Sequence, residues 1–151
     1  MNHPIIPEVE SLTRVCRDGE KLFRHAASTA TSTLLQSLFA EHAAQRRAFY
    51  SELQNEAVAF GESSPTEGGT VGGTLRQSWV KLRDLVFTPG EQTLLDDAAR
   101  EGEDARETYR RAIEAAGLPD ALRDIVARQY AEIAAAHQYL GDLRDGSVPA
   151  R

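Results

Sequence analysis

Residues 88–116 read TPGEQTLLDDAAREGEDARETYRRAIEAA, and this stretch predicts one long helix. Thr88 and Glu91 lie three positions apart and form a capping box, while Pro89 takes the first helical position, where its missing N–H is not needed. Apolar and small residues then recur every three or four positions, as on one face of a helix. They are Leu95, Ala98, Gly102, Ala105, Tyr109, Ala112 and Ala116. The helix is predicted to end at Gly117.

Three more segments show the same periodicity. A first helix is predicted to begin near Pro7, a second to run from about Thr33 to Phe60, and the last to run from Asp120 to about Gly146. The hydroxyl-rich segment 27–33 separates the first two, because Ser and Thr side chains compete for backbone hydrogen bonds. The inward face of the second helix is apolar at both ends and polar in the middle, with Leu35, Leu38, His42, Gln45, Phe49 and Leu53.

The segment from about residue 61 to residue 90 is predicted to be a long crossover. It opens with a loop rich in Gly and Pro and continues as a short amphipathic helix around Trp79. Trp79 has two interpretations: an anchor that clamps the crossover to the bundle, or one wall of a small-molecule pocket.

Together these elements predict an all-α protein with a single helical bundle domain spanning residues 1–151. Short connections make each consecutive pair of helices antiparallel, and the one long crossover joins the two hairpins. This connectivity is typical of a ferritin-like four-helix bundle rather than of a simple up-and-down bundle.

The composition favours a cytoplasmic protein that binds neither nucleic acid nor a membrane. The chain has 23 acidic and 17 basic residues, a net charge of −6, and no run of Lys and Arg. It has no apolar stretch of membrane-spanning length, and its N-terminus does not resemble a secretory signal. The single cysteine, Cys16, excludes an internal disulfide and is interpreted either as a small buried apolar residue or as a reactive thiol.

A glycine between two acids occurs in the middle of both the first and the third helix. The sequences are Arg17-Asp18-Gly19-Glu20 and Arg100-Glu101-Gly102-Glu103. A mid-helix glycine costs about 1 kcal/mol relative to alanine, so its recurrence predicts a shared structural reason, such as close helix approach or a local bulge. The two hairpins are therefore interpreted as a repeat.

A ferritin-like bundle raises the possibility of an iron or manganese site. Such a site needs a Glu from each of two helices and a Glu-x-x-His pair from each of the other two. The candidate ligands are Glu20, Glu41, His42, Glu103 and His137. However, neither Glu41 nor Glu132 is followed by a histidine three residues later, and Arg46 would place a positive charge beside the metal.

The same residues have a structural interpretation, a polar belt inside the bundle. The belt consists of His42, Gln45, Arg46 and Gln129, together with the acids beside the two glycines. In this interpretation Glu20, Glu101 or Glu103 pairs with Arg46, because buried charges are usually paired.

The order and spacing of several short pieces resemble a bacterial family of ferritin-like four-helix-bundle proteins of unknown function, first catalogued from pseudomonads. The pieces are Cys16-Arg17-Asp18-Gly19-Glu20 with Phe23, Gln45-Arg46 with Phe49, residues 75–82, Gly102-Glu103-Asp104 with Tyr109, and Gln129 with Ile133 and His137. The resemblance spans about residues 9 to 144. It implies the fold, and it implies no agreed activity or ligand set.

The sequence therefore leaves two main functional hypotheses. The first is a non-enzymatic bundle with a stress-related or partner-binding role that forms a homo-oligomer. The alternative is a ferritin-like protein that binds iron or manganese through an incomplete carboxylate site.

Overall fold

The computed structural model describes residues 7–62, 87–115 and 117–146. These residues form four helices, α1 (Pro7–Thr29), α2 (Thr33–Glu62), α3 (Pro89–Glu114) and α4 (Asp120–Asp145). The described part of the chain contains no strand, so the predicted all-α four-helix bundle is confirmed. The short helix predicted around Trp79 lies outside the described residues.

Side-chain contacts fix the relative direction of α1 and α3. The turn after α1 contacts the start of α3, through the Glu91 carboxylate and the backbone N–H of Ser32. Cys16 in the first half of α1 contacts Tyr109 near the end of α3, so these two helices are antiparallel. Because α2 is also antiparallel to α1, α2 and α3 run in the same direction. The long crossover predicted between them lies mostly outside the described residues.

The start of α3 has the predicted capping box and uses it to hold the neighbouring hairpin. The Thr88 side chain accepts from the Glu91 N–H, and the Glu91 carboxylate accepts from the Thr88 N–H. Its second oxygen accepts from Thr31 and Ser32, in the turn between α1 and α2. Burial opposes ionisation of Glu91, but these hydrogen bonds outweigh it and lower the pKa of the carboxyl. Glu91 thus joins the two hairpins.

The apolar core is divided into two clusters. The first surrounds Phe23, Phe39 and Leu95 near the α1–α2 turn, and the second surrounds Phe49 and Leu122 toward the opposite end. Along α2 and α3, the buried residues between the clusters are polar or glycine, which is where the polar belt was predicted. None of the helices in the described ranges is both long and apolar enough to cross a membrane.

Candidate functional site

A buried ion pair between α2 and α3 forms the centre of the polar belt. Arg46 donates through Nη2 to Glu101 Oε1 at 2.9 Å and through Nη1 to the other carboxylate oxygen. The side chains are 4% and 11% exposed, respectively. Burial alone would lower the pKa of Arg46, but attraction to the Glu101 carboxylate outweighs it and raises that pKa. The interior charge is therefore neutralised by a bidentate partner.

The two mid-helix glycines make room for polar side chains from neighbouring helices. A Cβ at Gly19 would lie 2.7 Å from Glu101 Oε2 and closer still to Arg46 Nη1. A Cβ at Gly102 would overlap the imidazole of His137, with Cγ at 2.9 Å. The shared reason predicted for the glycines is thus close approach, although one accommodates an ion pair and the other a single ring.

His42 lies beside the ion pair and is kept neutral by its surroundings. Its ring packs against Phe23, with centroids 5.0 Å apart, and Nδ1 donates to the Leu38 carbonyl at 2.9 Å. This hydrogen bond stays within α2. Burial and the nearby Arg46 charge lower the pKa of His42 to about 4.

The other candidate ligands are less enclosed than His42, by different amounts. Glu20 pairs with Arg24 and lies 3.9 Å from Arg47. Glu103 is 68% exposed on its side chain and accepts from His137 Nε2 at 3.1 Å. The fifth candidate, Glu41, is exposed. Of the acids beside the glycines, only Glu101 and Glu20 turn toward the interior.

A second polar group lies inside the second core cluster, and the sequence did not indicate its connections. The Tyr109 hydroxyl donates to Gln129 Oε1 at 2.6 Å and lies 3.1 Å from Cys16 Sγ. Because the hydroxyl proton points to Gln129, the Cys16 thiol donates to the Tyr109 oxygen. Gln129 Nε2 donates in turn to Glu52 Oε1 at 2.9 Å, and Glu52 pairs with Arg128 at the surface. The only sequence signal was a polar residue at each of two core positions, Tyr109 and Gln129.

The two buried titratable members of this group, Cys16 and Tyr109, are held in their neutral forms. Burial, the largest cause, raises the pKa of the Cys16 thiol to about 11. Burial likewise raises the pKa of Tyr109 well above its ordinary value, and the neighbouring thiol adds to that shift. The arrangement therefore disfavours a thiolate nucleophile, which favours the interpretation of Cys16 as a small core residue.

The described residues do not fit a dimetal carboxylate site. No group of three or more His, Cys, Asp or Glu side chains within the described ranges converges closely enough to hold an ion. The Arg46 guanidinium, with Glu101, fills the space beside Gly19 at the level where such a site would lie. Of the predicted ligands, Glu103 and His137 contact each other, and two ligands do not make a ferritin-type centre.

Comparison with known proteins gives a family but no activity. The profile of a family described as a domain of unknown function (DUF2383) matches residues 5–115. The matched residues include α1, α2 and α3, and α4 lies beyond them. No curated protein matches the chain.

Proposed function

This chain belongs to the DUF2383 family of domains of unknown function, and we propose that it is a non-enzymatic cytoplasmic protein that binds partners, including copies of itself. The observation that carries this proposal is the closed interior. Arg46 is satisfied by Glu101, and the Gln129 amide is satisfied by Tyr109 and Glu52. An enzyme or a catalytic metal site needs groups with an open position for substrate, whereas these groups bond one another. The surface is then the part of the bundle that is available for function.

Self-association is tested on the full, untagged chain. Multi-angle light scattering and sedimentation velocity, at several protein concentrations, should give a mass at least twice that of one chain. A monomer at every concentration, purified without any accompanying protein, would refute this proposal. The narrower prediction is a stress-related role. It is tested by comparing the growth of a deletion strain with that of its parent under oxidative stress.

One observation favours the metal-binding alternative, and it leads to a separate experiment. Glu103 and His137 form an acid–imidazole pair at the surface between α3 and α4, and two such groups provide a carboxylate oxygen and an imidazole nitrogen for a divalent cation. Elemental analysis of untagged protein, after exposure to iron or manganese, distinguishes the hypotheses. Near-stoichiometric metal that is lost in Glu103→Gln and His137→Gln would favour metal binding. Metal content unaffected by these substitutions would favour a bundle without a specific site.

A further inference from the structure

Three cationic side chains on α1, Arg14, Arg17 and Lys21, differ from the others that the structure describes. Every other Arg in the described ranges, including Arg24 on α1, pairs with an acid or, as Arg123 does, donates to backbone carbonyls. Arg14, Arg17 and Lys21 do neither, although the chain as a whole is acidic. Acidic residues are plentiful in the chain, so three unpaired cations close together distinguish this part of the surface from the rest of the described surface.

The three cations lie on one face of α1. At 100° per residue, positions 14, 17 and 21 fall within an arc of about 60° and span roughly 10 Å along the axis. All three side chains are exposed. Arg17 is also oriented by α2, since its guanidinium carbon lies 5.6 Å from the centre of the Tyr50 ring. Their charges therefore act on the same small region of the surface.

That region is a groove between α1 and α2, with a volume of about 380 Å³. Its lining includes the three cations and the amide of Gln54, all of which can donate hydrogen bonds. The carboxylates of Glu10 and Asp18 lie at the same groove. A larger groove of about 600 Å³ between α1 and α3 is less suited to anions, because Glu8 and Glu114 balance Arg14 and Arg111, and Arg111 is already paired with Glu107.

We propose that the α1–α2 groove binds a phosphorylated polyol. Arg14, Arg17 and Lys21 hold the phosphate group, since guanidinium groups match phosphate oxygens in pairs and Lys adds a point charge. Glu10 and Asp18 accept hydrogen bonds from the hydroxyl groups. The two carboxylates argue against an acidic peptide as the ligand. The Glu or Asp side chains of such a peptide would be repelled by Glu10 and Asp18, whereas the hydroxyl groups of a polyol would donate to them.

The experiment is an NMR titration of the full chain at constant ionic strength, first with inorganic phosphate and then with glycerol 3-phosphate. Amide shifts should be confined to the groove, on α1 and the facing part of α2, and glycerol phosphate should bind more tightly. Arg14→Gln combined with Arg17→Gln should weaken both ligands about tenfold or more. Arg100→Gln is the matched control, because Arg100 is an exposed arginine on α3 paired with Asp97; it should leave both affinities unchanged.

The acids give a signature that non-specific charge attraction cannot reproduce. Glu10→Gln combined with Asp18→Asn should tighten inorganic phosphate by removing repulsion, and should erase the preference for glycerol phosphate. Binding seen only with phosphatidylglycerol vesicles, and lost in the arginine double variant, would assign the same headgroup chemistry to a lipid. Equal weakening by Arg100→Gln, shifts spread over the whole surface, or tighter binding of a poly-glutamate peptide would overturn the proposal.

Discussion

The guanidinium of Arg46 on α2 occupies the space that a side chain at Gly19 on α1 would need. A Cβ at that position would lie 3.2 Å from Arg46 Cζ and closer to the terminal nitrogen. Glycine costs about 1 kcal/mol in a helix interior relative to alanine, because its unfolded chain has more conformational freedom. At Gly19 this cost is offset, because the glycine lets a buried charge reach its partner Glu101.

Gly19→Ala should therefore destabilise the bundle, although alanine is the better helix former. The new methyl group displaces a buried charge pair, and overpacking of this kind costs about 1–3 kcal/mol. Gly141→Ala is the matched control, because a Cβ on α4 at that position would meet nothing within 4 Å; it should stabilise by up to about 1 kcal/mol. Urea denaturation measures both. Stabilisation by both substitutions would mean that Arg46 moves aside without cost.

The buried pair should show strong coupling in a double-mutant cycle. Arg46→Met alone leaves the Glu101 carboxylate buried without its partner. Glu101→Leu alone leaves the Arg46 guanidinium buried without its partner. Each single substitution should cost about 3–5 kcal/mol of stability. The double variant removes both charges and should lose much less than the sum of the single losses. Denaturation of the four proteins in urea gives the coupling energy. Additive losses would show that the pair contributes little beyond the packing of its side chains.

The helices and their buried faces follow from local pattern, and the structure confirms them closely. The capping residues at Thr88 and Glu91 and the three- and four-residue spacing of apolar side chains act within one helix, so the sequence contains all the information needed. The second helix ends at Glu62, two residues beyond the predicted Phe60. Such ends fray and depend on weak local preferences.

The partner of Arg46 could not be chosen from the sequence, because it depends on how α3 is rotated against α2. Glu101 and Glu103 flank the same glycine, but they point about 160° apart on a helix, so only one can face the interior. The structure places Glu101 inside and Glu103 in solvent. The link between Cys16 and Tyr109 was missed for a similar reason, since it joins residues 93 positions apart.

His42 should make the protein lose stability as the pH falls from about 6.5 to about 4. The folded state holds the pKa of His42 near 4, while its ordinary value is 6.5. Between these values the unfolded chain binds a proton that the folded chain excludes, so unfolding becomes easier as the pH falls. The difference corresponds to about 3 kcal/mol at most. Urea denaturation at pH 7, 6, 5 and 4.5 measures the loss.

His42→Gln isolates this effect, because glutamine cannot be protonated in that range. The variant should be less stable at pH 7 but should lose much less stability between pH 6.5 and 4.5. Glu91 is present in both proteins, so it affects their two pH profiles equally. Because its pKa is lowered in the folded state, the stability that it contributes is lost only below about pH 4.5. Parallel pH profiles for the two proteins would contradict the assignment of the window to His42.

Cys16 should react with a thiol reagent only when the bundle opens. Its side chain is fully buried, and its pKa near 11 leaves about one thiolate in a thousand at pH 8. Tyr109→Phe removes the hydroxyl next to the thiol and leaves Gln129 Oε1 without its donor, a loss of about 1–3 kcal/mol. Labelling with a disulfide reagent in native buffer should then be about tenfold faster or more, since the rate follows the open population.

Tyr130→Phe is the control, because no hydrogen bond of the Tyr130 hydroxyl is found within the described residues; it should change the rate little. Rapid labelling of the unmodified native chain would instead mean that Cys16 is accessible, and would favour the reactive-thiol interpretation.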